Sequence, residues 1–133
     1  MRGAELQDRA KAHADTLPAA ELDCPFGPEW EVYKVKGKVF MLLTEVTGTP
    51  IVILKATPED SEALRQTYEA ITPGYHMNKR HWLTLTPSDE LNDGTLVEDL
   101  ITDSYLLVVE KLPRTQRPVD PDNYRAGECA PPA

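Results

Sequence analysis

Glu31-Val32-Tyr33-Lys34-Val35-Lys36-Gly37-Lys38-Val39-Phe40-Met41-Leu42-Leu43 is the stretch on which the fold turns. It is rich in β-branched and aromatic residues and broken only at Lys36-Gly37, so it reads as two strands joined by a tight turn at those two residues, with Tyr33 facing Phe40. Just downstream, Thr47-Gly48-Thr49-Pro50 marks a second turn. The run Ile51-Val52-Ile53-Leu54 then has the length and branching of a strand buried on both faces. Three consecutive antiparallel strands are expected.

Helical periodicity flanks this core. Leu6, Ala10, Ala14 and Leu17 recur at helical spacing among charged residues until Pro18 stops them, which predicts an amphipathic first helix. Cys24-Pro25-Phe26-Gly27-Pro28 has two amide-less prolines and reads as an ordered loop, with Cys24 as a small buried hydrophobe. After the third strand, Thr57 is suited to cap a helix, Pro58 to its first turn, and Glu59, Asp60 and Glu62 to its positive end. Leu64, Thr67, Tyr68 and Ile71 are its expected inner stripe, and Pro73-Gly74 its expected stop. His81 to Leu85 reads as a fourth strand. Thr95 to Glu98 has the spacing of a capping box, and Val97, Ile101, Tyr105, Val108 and Leu112 carry a last helix to Leu112.

With 133 residues, the chain can form one domain that withdraws roughly two thirds of its unfolded surface from water. The expected domain spans residues 1–114. Residues 115–133, with four prolines and almost no large aliphatic side chain, read as a flexible tail. No apolar run approaches the roughly 20 residues of a membrane span, and the charged, alanine-rich start lacks the pattern of a secretory signal, so a cytoplasmic location is expected. The net charge of −8 argues against a protein that coats nucleic acid by electrostatics alone.

The segment Tyr75-His76-Met77-Asn78-Lys79-Arg80-His81-Trp82 is the candidate site, because it gathers cations, histidines, an amide and aromatics within an acidic chain. Lysine and arginine can hold an anion, Asn78 can bond a base edge or carboxylate, and Tyr75 or Trp82 can stack on a ring. The plainer reading makes Tyr75 and Trp82 core anchors and Lys79-Arg80 a solvated turn. Lys34, Lys36 and Lys38 form a second basic spot at the hairpin tip. Pairing across the turn sets Lys38 beside Val35 and Lys34 beside Val39, on opposite faces, so the three meet only at the tip; guarding a sheet edge is their plainer role. Catalysis finds little support: Ser61, Ser88 and Ser104 lack a nucleophile-elbow context, the histidines lack metal-ligand spacing, and there is no glycine-rich phosphate loop. No enzyme activity, cofactor or metal is expected.

At Pro25-Phe26-Gly27, the hairpin Val32 to Phe40, the block Pro73 to Trp82, and Ser104-Tyr105 through Lys111-Leu112-Pro113, the sequence resembles the MmcQ/YjbR family of small bacterial proteins. The resemblance implies a single α+β domain, with helices packed on a twisted antiparallel sheet of at least four strands in a frataxin-like or double-wing arrangement. It carries over Asn78, Lys79, Arg80, His81 and Trp82 as the family signature. It also implies a DNA-binding label that rests on shape, and fold does not fix function. The expectation is therefore a non-enzymatic, monomeric binding protein. Its partner is weakly and sequence-insensitively bound duplex DNA, held through Lys34, Lys36, Lys38 and the segment from Tyr75 to Trp82. The alternatives are a small aromatic or anionic ligand at that segment, or another protein for which this chain is an accessory factor.

Overall fold

A computed structural model describes residues 3–24, 29–45, 48–74, 81–92 and 95–120. Its elements run α1 (Gly3–Ala14), β1 (Ala20–Asp23), β2 (Trp30–Val35), β3 (Lys38–Thr44), β4 (Ile51–Lys55), α2 (Pro58–Thr67), β5 (Ile71–Pro73), β6 (Trp82–Leu85) and α3 (Leu96–Val109), with 3-10 turns at Asp89–Asn92 and Arg114–Gln116. The strands form one antiparallel sheet in the order β1-β2-β3-β4-β6-β5. This is the expected single α+β domain. No helix among the described residues is long and apolar enough to cross a membrane.

Strand alternation divides the sheet's apolar residues between two faces. Tyr33, Val35, Met41, Leu43, Val52, Leu54, Leu83 and Leu85 join Leu6, Ala10, Ala14, Val97, Ile101 and Tyr105 of α1 and α3 in the main core. The other face carries a second cluster of Val32, Leu42, Ile51 and Ile53, with Trp30, Val39 and Trp82 packed against it. All of Ile51 to Leu54 is buried, as a strand covered on both faces requires.

The hairpin turns at Lys36 (φ 51°) and Gly37 (φ 81°), both left-handed as a two-residue turn demands. Val35 pairs with Lys38 and Lys34 with Val39, as expected, but the register then shifts and Tyr33 pairs with Met41. Phe40 is the extra residue of a bulge. Its ring still meets Tyr33 at 6.3 Å and stands edge-on to Tyr105 at 5.4 Å.

Several expectations are corrected. Ile71 does not extend the stripe of α2: the helix ends at Thr67, Tyr68 is already extended, and Ile71-Thr72-Pro73 pairs with β6 at the sheet edge, where a proline is tolerated. Thr95 makes no capping box. Its hydroxyl donates to Asp99 Oδ2 at 3.0 Å, and Glu98 is drawn instead into an ion pair with Arg9 of α1. The last helix stops at Val109, where Lys111 and Leu112 bond back three residues and tighten the final turn. Cys24 is exposed rather than buried. β1 lies in a stretch where no strand is expected. The packed domain also continues past residue 114: Val119 is 7% exposed within the main core, and Arg117 donates to the carbonyls of Leu112 and Glu110, at 2.9 and 2.7 Å. Residues 121–133 lie outside the described residues.

Candidate functional site

Of the residues singled out by sequence, Tyr75, His76, Asn78, Lys79 and Arg80 lie outside the described residues, so the site is built from Lys34, Lys36, Lys38, His81 and Trp82. Trp82 opens β6 and packs, partly buried, against the second cluster on the sheet face opposite α1 and α3, with part of its indole left exposed. The register sets Lys55, the last residue of β4, directly across from it, and the Lys55 ammonium stands 5.7 Å from the indole centroid. That is cation–π range. His81 is exposed, and its carbonyl accepts from the amide of Ala56 at 2.8 Å, which ties the entry of β6 to the exit of β4.

Two residues that sequence reasoning read otherwise hold this pair in place. Gly74, expected to end a helix, donates its amide to the Trp82 carbonyl at 2.8 Å, and a Cβ on Gly74 would stand 2.5 Å from the Trp82 Cβ. Only glycine allows the two backbones so close. Ser104 of α3 is fully buried; its hydroxyl accepts from the Lys55 amide at 2.8 Å and donates to the Phe40 carbonyl at 2.5 Å. The bulge at Phe40 puts that carbonyl out of ladder register, so a serine hydroxyl relays the bond a regular sheet would make directly. Lys55 itself was missed: it ends an apolar run, and only the strand register reveals its tryptophan.

The basic spot at the hairpin tip divides as the register dictates. Lys36 and Lys38 are exposed. Lys34 shares its face with Val39 and is not free for a ligand, because its ammonium lies 3.2 Å from Asp23 Oδ2, with Glu21 directly opposite it on β1. The start of β3, the end of β4 and the start of β6 fall at one end of the sheet. Lys34, Lys36, Lys38, Lys55, His81 and Trp82 are therefore gathered at that end.

The remaining polar network is on the helical face. Arg9 grips both carboxylate oxygens of Glu98, and His13 Nε2 lies 2.7 Å from Thr102 Oγ1. Burial pushes Glu98 up, but the Arg9 hydrogen bonds, its backbone bond and the charges of Arg9 and His13 outweigh this and hold it below the usual range. Burial lowers His13 against the opposing pull of Glu98 and Asp99. Tyr33 donates to Asp15 Oδ1 at 3.0 Å, and burial followed by that carboxylate pushes its phenol above the ordinary value. These bonds join α1 to α3 and to β2. Among the described residues no group of three His, Cys, Asp or Glu side chains could hold a metal ion.

Comparison with known proteins adds a lineage to this geometry. The family model for YjbR matches residues 15–107. The uncharacterized protein YbdF of Escherichia coli O157:H7 is 47% identical over 117 residues, covering 87% of this chain and 95% of its own. The uncharacterized protein YjbR of Escherichia coli K12 is 37% identical over 84 residues, covering 63% of this chain and 70% of that one. Among solved structures, a Deinococcus radiodurans protein with the DUF419 domain superposes with a TM-score of 0.71 at 36% identity, covering 84% of each chain. A Pseudomonas syringae protein does so with a TM-score of 0.60 at 28% identity, over 80% of this chain and 98% of that one.

Proposed function

The chain belongs to the YjbR family, and from that premise we propose that it is a non-catalytic binding protein for a small aromatic anion, held where β4 ends and β6 begins. The observation that carries this reading is the partly exposed Trp82 indole with the Lys55 ammonium 5.7 Å from its centroid. A planar ligand stacks on the open part of the indole, while Lys55 supplies charge for its anionic group and exposed His81 a hydrogen bond.

Duplex DNA is the second reading, favoured by the gathering of Lys36, Lys38 and Lys55 at one end of the sheet. It is weakened by Asp23, which neutralises Lys34, and by the overall charge of −8. Titration of tryptophan fluorescence and thermal midpoint with nucleoside monophosphates, aromatic carboxylates, their neutral analogues and short duplexes separates the two. Aromatic anions should bind, their neutral analogues should not, and Lys55→Gln should weaken the response. Duplex binding with a slope of log K against log salt of roughly −3 to −5 would replace this reading with the DNA one. If no compound alters fluorescence or midpoint, the site is not a ligand site.

A further inference from the structure

The two edges of the sheet are finished differently. On β5 the amide positions that turn outward are those of Ile71 and Pro73, because the neighbouring Gly74 amide bonds inward to Trp82, and the Pro73 carbonyl accepts from the Thr84 hydroxyl of β6 at 3.1 Å. Ile71 gives its amide to the Tyr68 carbonyl at 3.2 Å, and Pro73 has no amide to give. That edge offers no donor to another strand.

On β1, the two-residue turn makes Val35 and Lys38 a hydrogen-bonded pair, so the peptide groups of Lys34 face β1 and bond Glu21. Alternation then turns the amide and carbonyl of Leu22 outward. The other outward amides of this edge are used locally: Ala20 donates to the Leu17 carbonyl at 3.2 Å and Cys24 to its neighbour Asp23 Oδ1 at 2.8 Å. Leu22 is 50% exposed and is the large hydrophobic residue left in water among the described ones. Glu21 and Asp23, both exposed, flank it on the opposite face of the strand; Asp23 already takes the Lys34 ammonium at 3.2 Å, an exposed and therefore weak pair whose carboxylate keeps lone pairs for a second cation.

We propose that the β1 edge is a docking site for an extended segment of another protein with the alternation basic, apolar, basic. The residue opposite Leu22 exchanges two backbone hydrogen bonds with it and covers its side chain, and the two flanking cations meet Glu21 and Asp23. The same charges select against a second copy of this chain. Antiparallel pairing of two β1 strands about Leu22 sets Glu21 of each against Asp23 of the other, and like charges directly opposed are repelled. Asp15 adds a further anion on the other face, where its Oδ1 accepts from the hydroxyl of Tyr33, the residue paired with Leu22.

The test uses the full chain and a blocked heptapeptide alternating lysine and valine, followed by backbone amide NMR shifts. Shifts should concentrate on residues 20–24 and their β2 partners. A peptide of the same composition with its lysines contiguous, and one with glutamate for lysine, should bind at least about tenfold more weakly. Leu22→Pro deletes the outward amide without touching the β1–β2 ladder and should cause a similar loss with the spectrum otherwise preserved; Glu21→Lys combined with Asp23→Lys should transfer binding to the glutamate peptide. The proposal is overturned if the shifts fall elsewhere, or if the contiguous-lysine peptide binds as well as the alternating one. These two results come from the unaltered chain and do not depend on any variant folding.

Discussion

Ser104→Ala removes one oxygen from a fully buried position and leaves two backbone groups without partners, the Lys55 amide and the Phe40 carbonyl. The void is a minor effect: roughly 10 Å³ at about 24 cal/mol per Å³ is about 0.2 kcal/mol. Stranding the two groups dominates, at about 1–3 kcal/mol for each, and partial closure of the sheet recovers some of that. A net loss of about 2–4 kcal/mol is expected, or a fall in Tm of roughly 8–16 °C for a domain of this size. Urea unfolding followed by circular dichroism measures it, and the dependence on denaturant should stay unchanged, since the same surface is exposed. Because the lost bond holds the end of β4, tryptophan emission should shift to the red as Lys55 loosens from Trp82. A loss below about 0.5 kcal/mol would mean that the strands bond directly once the hydroxyl is gone, and that the serine does not span the bulge.

Three further outcomes are expected. Gly74→Ala drives a Cβ against the backbone of β6 and should cost about 1–3 kcal/mol with a change in Trp82 emission; an unchanged emission spectrum and midpoint would show that β5 is free to move away. Acid should destabilise the fold in two stages measurable as Tm against pH. His13 is depressed in the folded state, so stability is intact above its unfolded value of 6.5 and falls as the unfolded chain takes up a proton below it, a stage that His13→Gln removes. Glu98 is likewise depressed, so its contribution is present above 4.5 and is lost as pH falls through the folded value. Val119→Ala should cost about 1–2 kcal/mol by removing two buried methyl groups at about 0.8 each, and no change would return residues 115–120 to the tail.

What could be read from the sequence is what is decided locally. The Lys36-Gly37 turn depends on two residues and fixes the pairing next to it, so the division of the three lysines followed without the structure. The bulge one step further was not legible, because the hydroxyl that satisfies it comes from a residue 64 positions away. The capping box failed for a similar reason: Thr95 and Glu98 have the right spacing, but Arg9 offers Glu98 a charged partner that a backbone amide cannot match. Both edge strands escaped notice, since Ala20-Glu21-Leu22-Asp23 and Ile71-Thr72-Pro73 are too short to show a period and become strands only by lying beside β2 and β6.

The candidate site follows the same division. Trp82 was legible as a strand residue and a core anchor, and it does pack against the second cluster, though less completely than Leu83 and Leu85 are buried. Burial at the first position of a strand depends on what stands across from it. Across from Trp82 stands Lys55, whose amide is held by a helix and whose ammonium lies against the ring, so the indole keeps a partly open face. A leucine at residue 55 would close that face with apolar contact and make Trp82 an ordinary core residue. Lys55→Leu therefore decides between the two readings: a gain in stability together with loss of aromatic-anion binding identifies Lys55 as a group kept for its charge, at a cost in packing. Binding that survives the leucine would mean that Lys55 does not hold the anion, and that the charge comes from another cation.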